Sequence, residues 1–123
     1  MKLTKNFSSE EFDCRDGTPV PDPLKPNVIE LAKNLQVLRD EISEPIHINS
    51  AYRHTAYNKK IGGKPQSQHI QAKAADITAK SFTPKQLAAV IEKLIKAGKM
   101  KQGGIGVYPG FTHYDIRGTI ARW

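Results

Sequence analysis

A chain of 123 residues with one cysteine and a formal charge of +7 has room for a single hydrophobic core, and Cys14 alone excludes an intrachain disulfide framework. The excess of Lys and Arg favours polyanionic partners such as nucleic acid, teichoic acids or the acidic groups of a cell wall. However, Lys59, Lys60, Lys64, Lys73, Lys80 and Lys85 are scattered rather than packed into one run, and they read as a solvated face. Residues 1–7 carry basic groups with no apolar stretch behind them, which predicts neither a secretory signal nor a membrane span, and hence synthesis in the cytoplasm. One domain, residues 1–123, is expected to hold the whole function.

In chain order, Ser8 and Glu11 have capping-box spacing and predict a short capped helical turn. Cys14, between Asp13 and Arg15–Asp16, forms no metal or nucleophile motif and reads as a spare thiol. The proline-rich stretch 17–26 is an extended, irregular connection. Over 27–42, Val28, Ile29, Leu31, Ala32, Leu35, Leu38 and Ile42 recur at helical spacing and predict a scaffold helix. Segment 46–52 alternates as a strand, with Ile46 and Ile48 on one side and His47 outward. From 53 to 68 the composition turns polar and glycine-bearing and predicts a loop that delivers His69. The small and β-branched residues of 73–79 predict a short buried strand carrying Asp76. Thr83 as N-cap, Pro84 at the first helical position and Gly98 beyond the end bracket a second scaffold helix. Segments 103–108 and 111–116 read as two strands around Pro109-Gly110, which places His113 and Asp115 on one face and Tyr114 away from it.

His69, Asp76 and His113 are the residues that carry chemistry. Two imidazoles and a carboxylate are the donor set of a catalytic zinc site, which takes three protein ligands and keeps a fourth position for water, whereas a closed structural site would need more sulfur than Cys14 supplies. Arg53 follows a predicted strand, and its planar fork suits a carboxylate; the bland alternative is a surface ion pair. Ser67 shapes the turn into His69 and is a candidate substrate contact. Tyr108 is a candidate oxyanion or substrate contact, with packing the favoured reading, and His54 reads as an exposed loop histidine.

The segments Ser50-Ala51-Tyr52-Arg53, Ser67-Gln68-His69 with Ala74 and Asp76, GVYPGFTHYDIRG over 106–118, and the final Arg122-Trp123 resemble the zinc D-Ala-D-Ala carboxypeptidase family. That family shares its fold with the amino-terminal signalling domain of hedgehog proteins and includes peptidoglycan endopeptidases and phage endolysins. The likeness runs from about Ser50 onward and is greatest to the compact branch common in phages and prophages. It implies an α+β fold with a small antiparallel sheet flanked by helices, zinc held by His69, Asp76 and His113, and Arg53 reading a substrate carboxylate or carbonyl. Many members place an acid three positions before the last zinc histidine, where this chain has Gly110. Asp115 is then the nearest carboxylate in sequence, either as the general base or as the group that holds His113.

The activity so implied is zinc-dependent hydrolysis of an amide bond in a peptidoglycan stem or cross-link peptide, as a D,D-carboxypeptidase or an endopeptidase. A monomer is expected, with no nucleic-acid partner and no stable membrane insertion, reaching the wall through a holin-like route. The alternative is a catalytically inactive, zinc-containing cell-wall-binding module. A basic nucleic-acid-binding domain is disfavoured, because no zinc-finger spacing, RNP-like strand or basic recognition helix is present.

Overall fold

The computed structural model describes residues 1–123. Helix α1 (Lys25–Ile42) buries Val28, Leu31, Ala32, Leu35 and Leu38, which share one side because they recur every three or four residues. It begins two residues before the expected start, since Pro26 in its first turn gives up an N–H that has no helical partner. It ends at Ser43, which adopts a left-handed φ of 55°. Strand β1 (His47–Ser50) exposes His47 and buries Ile48, as its alternation requires. Strand β2 (Ala74–Thr78) is buried along Ala74–Ile77, which suits its small residues. Helix α3 (Pro84–Lys96) is opened by a reciprocal capping box in which Gln86 Oε1 accepts the Thr83 N–H at 2.8 Å and Thr83 Oγ1 accepts the Gln86 N–H at 3.1 Å.

The structure differs from the sequence reading between β1 and β2. A short helix α2 (Thr55–Lys60) stands where a loop was expected. It has no apolar stripe to betray it, and it is set instead by His54, whose Nδ1 accepts the Tyr57 N–H at 3.2 Å as a helix cap. The first element, Ser9–Phe12, is a 3-10 turn, with the Ser8 N–H donating to Glu11 Oε2 at 2.7 Å.

Strands β3 (Gly104–Val107) and β4 (Thr112–Asp115) form the expected hairpin, and β5 (Ala121–Arg122) runs parallel to β3. The five-stranded sheet has the order β1-β2-β4-β3-β5, antiparallel throughout except for that last pair. The fold is therefore α+β, with a small and mostly antiparallel sheet and a few helices. Because side chains alternate across a strand, Ala75, Ile77, Ile105 and Tyr114 face one contiguous core together with the buried stripes of α1 and α3. Asp76, His113 and Asp115 face the other way. No helix is long and apolar enough to cross a membrane.

Leu35 is fully buried in that core, which lies on the other side of the sheet from Asp76, His113 and Asp115. Leu35→Ala is expected to lower unfolding free energy by about 2–5 kcal/mol in urea titrations, with metal bound per folded molecule unchanged.

Candidate metal centre

Asp76 and His113 are direct cross-strand partners in the β2–β4 register, which fixes their side chains next to each other on the face away from the core. His69 is brought to them by the turn that precedes β2. Ser67 Oγ accepts the His69 N–H at 3.1 Å, and the turn closes through buried Ala72, held at a left-handed φ of 57°. Ligand atoms of His69, Asp76 and His113 all lie within 4.8 Å of one another, and all three residues are buried.

The outer nitrogen of each imidazole has a fixed partner. His69 Nδ1 lies 2.6 Å from the Ala51 carbonyl; a carbonyl only accepts, so Nδ1 carries the proton and Nε2 turns its lone pair inward. His113 Nε2 lies 2.7 Å from Asp115 Oδ2, which leaves Nδ1 as its inward atom. Those inward nitrogens stand 3.3 and 3.2 Å from Asp76 Oδ1. Three acceptors thus converge with no donor among them, an arrangement that is repulsive unless a cation sits between them. The donor set of two neutral imidazoles and one carboxylate fits zinc.

Asp115 is fully buried. Besides His113, its carboxylate accepts the Gly104 N–H at 2.9 Å, the Arg117 backbone N–H at 3.1 Å, and Arg117 Nε and Nη2 at 2.9 and 2.7 Å. A general base needs a lone pair turned to substrate, whereas Asp115 is absent from the cleft wall and its geometry is that of a group orienting His113. Burial alone would raise its pKa, but the His113, Arg117 and Gly104 hydrogen bonds hold it well below the usual carboxylate range.

Arg53 is no surface ion pair. Its Nη2 donates to Asp76 Oδ2 at 3.2 Å, with only 14% and 6% of the two side chains exposed, while Nε reaches Ser50 Oγ and Nη1 reaches Asn58 Oδ1, both at 3.3 Å. Buried Asn58 also donates to the Lys64 carbonyl at 2.8 Å, bracing the loop before His69. Nothing in the sequence marked Asn58, a polar residue in a polar stretch. Arg53, Ser67 and Tyr108 line one cleft of about 740 Å³ with His69, Asp76 and His113. Tyr108 packs against Phe111, with ring centroids 4.5 Å apart, and its hydroxyl accepts Trp123 Nε1–H at 2.6 Å. Tyr114 is buried away from the site, its hydroxyl donating to the Lys101 carbonyl at 2.7 Å.

A second group, Cys14, Asp16 and His54, also has ligand atoms within 4.8 Å of one another, a proximity that the sequence did not reveal. Here the single lone pair of neutral His54 is taken by the α2 cap, and Nε2–H donates to Asp16 Oδ2 at 2.5 Å. No imidazole lone pair remains for an ion, and the trio acts as a tie between the segment just before the proline-rich stretch and the start of α2.

Three His and Asp ligand atoms in an open cleft, each imidazole fixed from behind, define a metallohydrolase centre rather than a closed structural metal site. The chain belongs to the Peptidase M15 family, whose model matches residues 5–115 and so spans His69, Asp76, His113 and Asp115. Its members are zinc-dependent metallopeptidases, and the family acts on peptidoglycan. No curated protein matches the chain.

In the metal-free protein a proton is the cation at hand. Burial would depress the pKa of His113, but its hydrogen bonds to Asp115 and Asp76 and their charges raise it above 6.5. That contribution to stability is complete below about pH 6.5 and is lost as pH rises through the raised value. Metal ligation, by contrast, requires the proton to leave. The melting temperature of chelator-treated protein is therefore expected to fall as pH rises above about 6.5, while zinc stabilises more at the higher pH; differential scanning fluorimetry on either side of that pH checks both slopes. Asp115→Asn is expected to weaken zinc binding about 10–100-fold in competition with a chromogenic chelator, with circular dichroism showing a folded chain.

Proposed function

We propose that the protein hydrolyses an amide bond in a peptidoglycan stem or cross-link peptide, with zinc held by His69 Nε2, a carboxylate oxygen of Asp76 and His113 Nδ1. The observation that carries this reading is the convergence of three buried acceptors whose outer partners forbid any other orientation of the rings. A zinc ion bound there supplies Lewis acidity, polarising a carbonyl and acidifying water. Asp115 is the positioning residue that keeps His113 Nδ1 inward.

Arg53 steadies Asp76 and lines the cleft with guanidinium N–H groups left over from its three bonds, which suit a substrate carboxylate or carbonyl. A free terminal carboxylate there makes the enzyme a D,D-carboxypeptidase, and an internal carbonyl makes it an endopeptidase. Asp76 is paired with Arg53 and Asp115 with Arg117, so a divalent ion leaves the site net positive and receptive to the carboxylates of stem peptides. Ser67 shapes the approach to His69 at the cleft edge. A monomeric endolysin of the phage or prophage type, delivered to the wall through a holin-like pore, is the setting that this activity suits.

The second reading, a zinc-containing wall-binding module without activity, is favoured by one observation. Asp76 has the one carboxylate side chain lining the cleft, and it is committed as a ligand. Gly110 offers no acid, although a side chain there would meet nothing within 4 Å.

Elemental analysis of wild type and His69→Ala, with peptide release from purified peptidoglycan measured on the same samples, separates the readings. One equivalent of zinc and wall cleavage are expected in wild type, and both are lost in the variant, with cleavage down at least about 100-fold. Zinc without cleavage favours the binding module, and zinc in neither sample overturns the metal site.

A further inference from the structure

We propose that Lys64 is a specificity-determining residue, an ammonium that takes a second carboxylate of the substrate beside the group that Arg53 reads; this deepens the peptidase reading above and rests on it. Four Arg and Lys side chains line the cleft, those of Arg53, Lys64, Arg117 and Arg122. Three of them are committed within the protein. Arg53 pairs with Asp76 at 3.2 Å, Arg117 with Asp115 at 2.7 Å, and Arg122 donates from Nε and Nη2 to the two oxygens of Glu92 at 2.7 and 2.9 Å. The lysines that pair with acids are Lys25, Lys93 and Lys101, none of which lines the cleft. Lys64 has no such partner, so it is the one cation of the cleft whose charge the chain leaves unmatched.

The loop that carries Lys64 is fixed to the element that carries Arg53. Asn58, only 2% exposed, donates from Nδ2 to the Lys64 carbonyl at 2.8 Å, while its Oδ1 accepts Arg53 Nη1 at 3.3 Å. The Gly63 N–H donates to the Asn58 carbonyl at 2.8 Å, and the Ser67 N–H to the Lys64 carbonyl at 3.0 Å. Gly63 lies so close to the Asn58 amide that a Cβ there would come within 2.1 Å of Oδ1. One buried amide therefore sets the backbone of Lys64 and the head of Arg53 together, and the two cations are neighbours across a single side chain. Gln66 and Gln68 line the cleft from the same loop, but an amide side chain serves a carboxylate and a carboxamide alike. Discrimination between those two groups falls to the charge on Lys64, because a hydrogen bond between ionised partners is stronger than one to a neutral acceptor. The matching substrate is a stem peptide that bears an acidic side chain next to the cleaved bond.

The test compares two stem-type peptides that differ only in a side-chain carboxylate or its primary amide beside the cleaved bond. The proteins are zinc-loaded wild type, Lys64→Gln, Lys64→Arg and, as a control for overall charge, Lys59→Gln, whose lysine is exposed on α2 and does not line the cleft. Wild type, Lys64→Arg and Lys59→Gln are expected to prefer the carboxylate peptide by about fivefold to tenfold in kcat/KM, and Lys64→Gln by less than about twofold. Zinc content and circular dichroism verify that each variant is loaded and folded. An undiminished preference in Lys64→Gln overturns the proposal, as does an equal loss in Lys59→Gln, which makes the effect one of net charge alone. If wild type cleaves neither peptide, the peptidase reading fails by itself. Calorimetric binding of the same two peptides then decides the assignment of Lys64 by the same ratios, and equal binding of the two by wild type overturns it.

Discussion

Three buried lone pairs aimed at one point repel one another, and much of the structure around them serves to hold them there. The β2–β4 pairing sets Asp76 against His113, the Ala51 carbonyl holds His69 from behind, and Asp115 does the same for His113. Strand β3 contributes by omission. Gly106 is the cross-strand partner of His113, and Gly104 lies on the same face two residues earlier. A Cβ at Gly104 would stand 2.4 Å from Asp115 Oδ2, and one at Gly106 would strike the Trp123 indole. The bare strand face makes room for the groups that orient the ligands.

The two carboxylates of the centre are each matched to an arginine, Asp76 to Arg53 and Asp115 to Arg117. Buried ion pairs seldom add net stability, because desolvation offsets the attraction. Protonation is set by a different group of neighbours at each acid. Burial would push both acids up, yet in the metal-free protein an inward proton on the histidine pair holds Asp76 in its ionised form, and the hydrogen bonds from His113 and Arg117 do so for Asp115. An ionised Asp115 can only accept, so it dictates which nitrogen of His113 bears the proton. The tautomer of a ligand is thereby decided two residues along the same strand.

What could be read from the sequence was whatever repeats or caps. The α1 and α3 stripes, the Thr83-Pro84 start, the small-residue strand of Asp76 and the Pro-Gly hairpin all carry local signals and appear where those signals lie. Helix α2 carried none, because its N-cap is a histidine and its faces are polar. The two roles open to Asp115 could not be separated from spacing alone: either places it on the His113 face, and only the Gly104 and Arg117 bonds show where its lone pairs go. The partnership of Tyr108 with Trp123 joins residues 15 apart through a parallel strand that short-range patterns do not announce. The Cys14, Asp16 and His54 tie spans still more of the chain, its two bonded side chains lying 38 positions apart.

The position of β2 also bears on the order of assembly. Its partner β1 precedes it in the chain, but its other neighbour, β4, arrives only after α3 and β3. Until then β2 presents an unpaired edge of the kind that invites wrong pairing. The strand that covers this edge is the one that bears His113, so sealing the sheet and completing the ligand set are a single event. A chain that has made His69 and Asp76 alone does not yet have the full ligand set, and the β2–β4 pairing is what joins the third ligand to the other two.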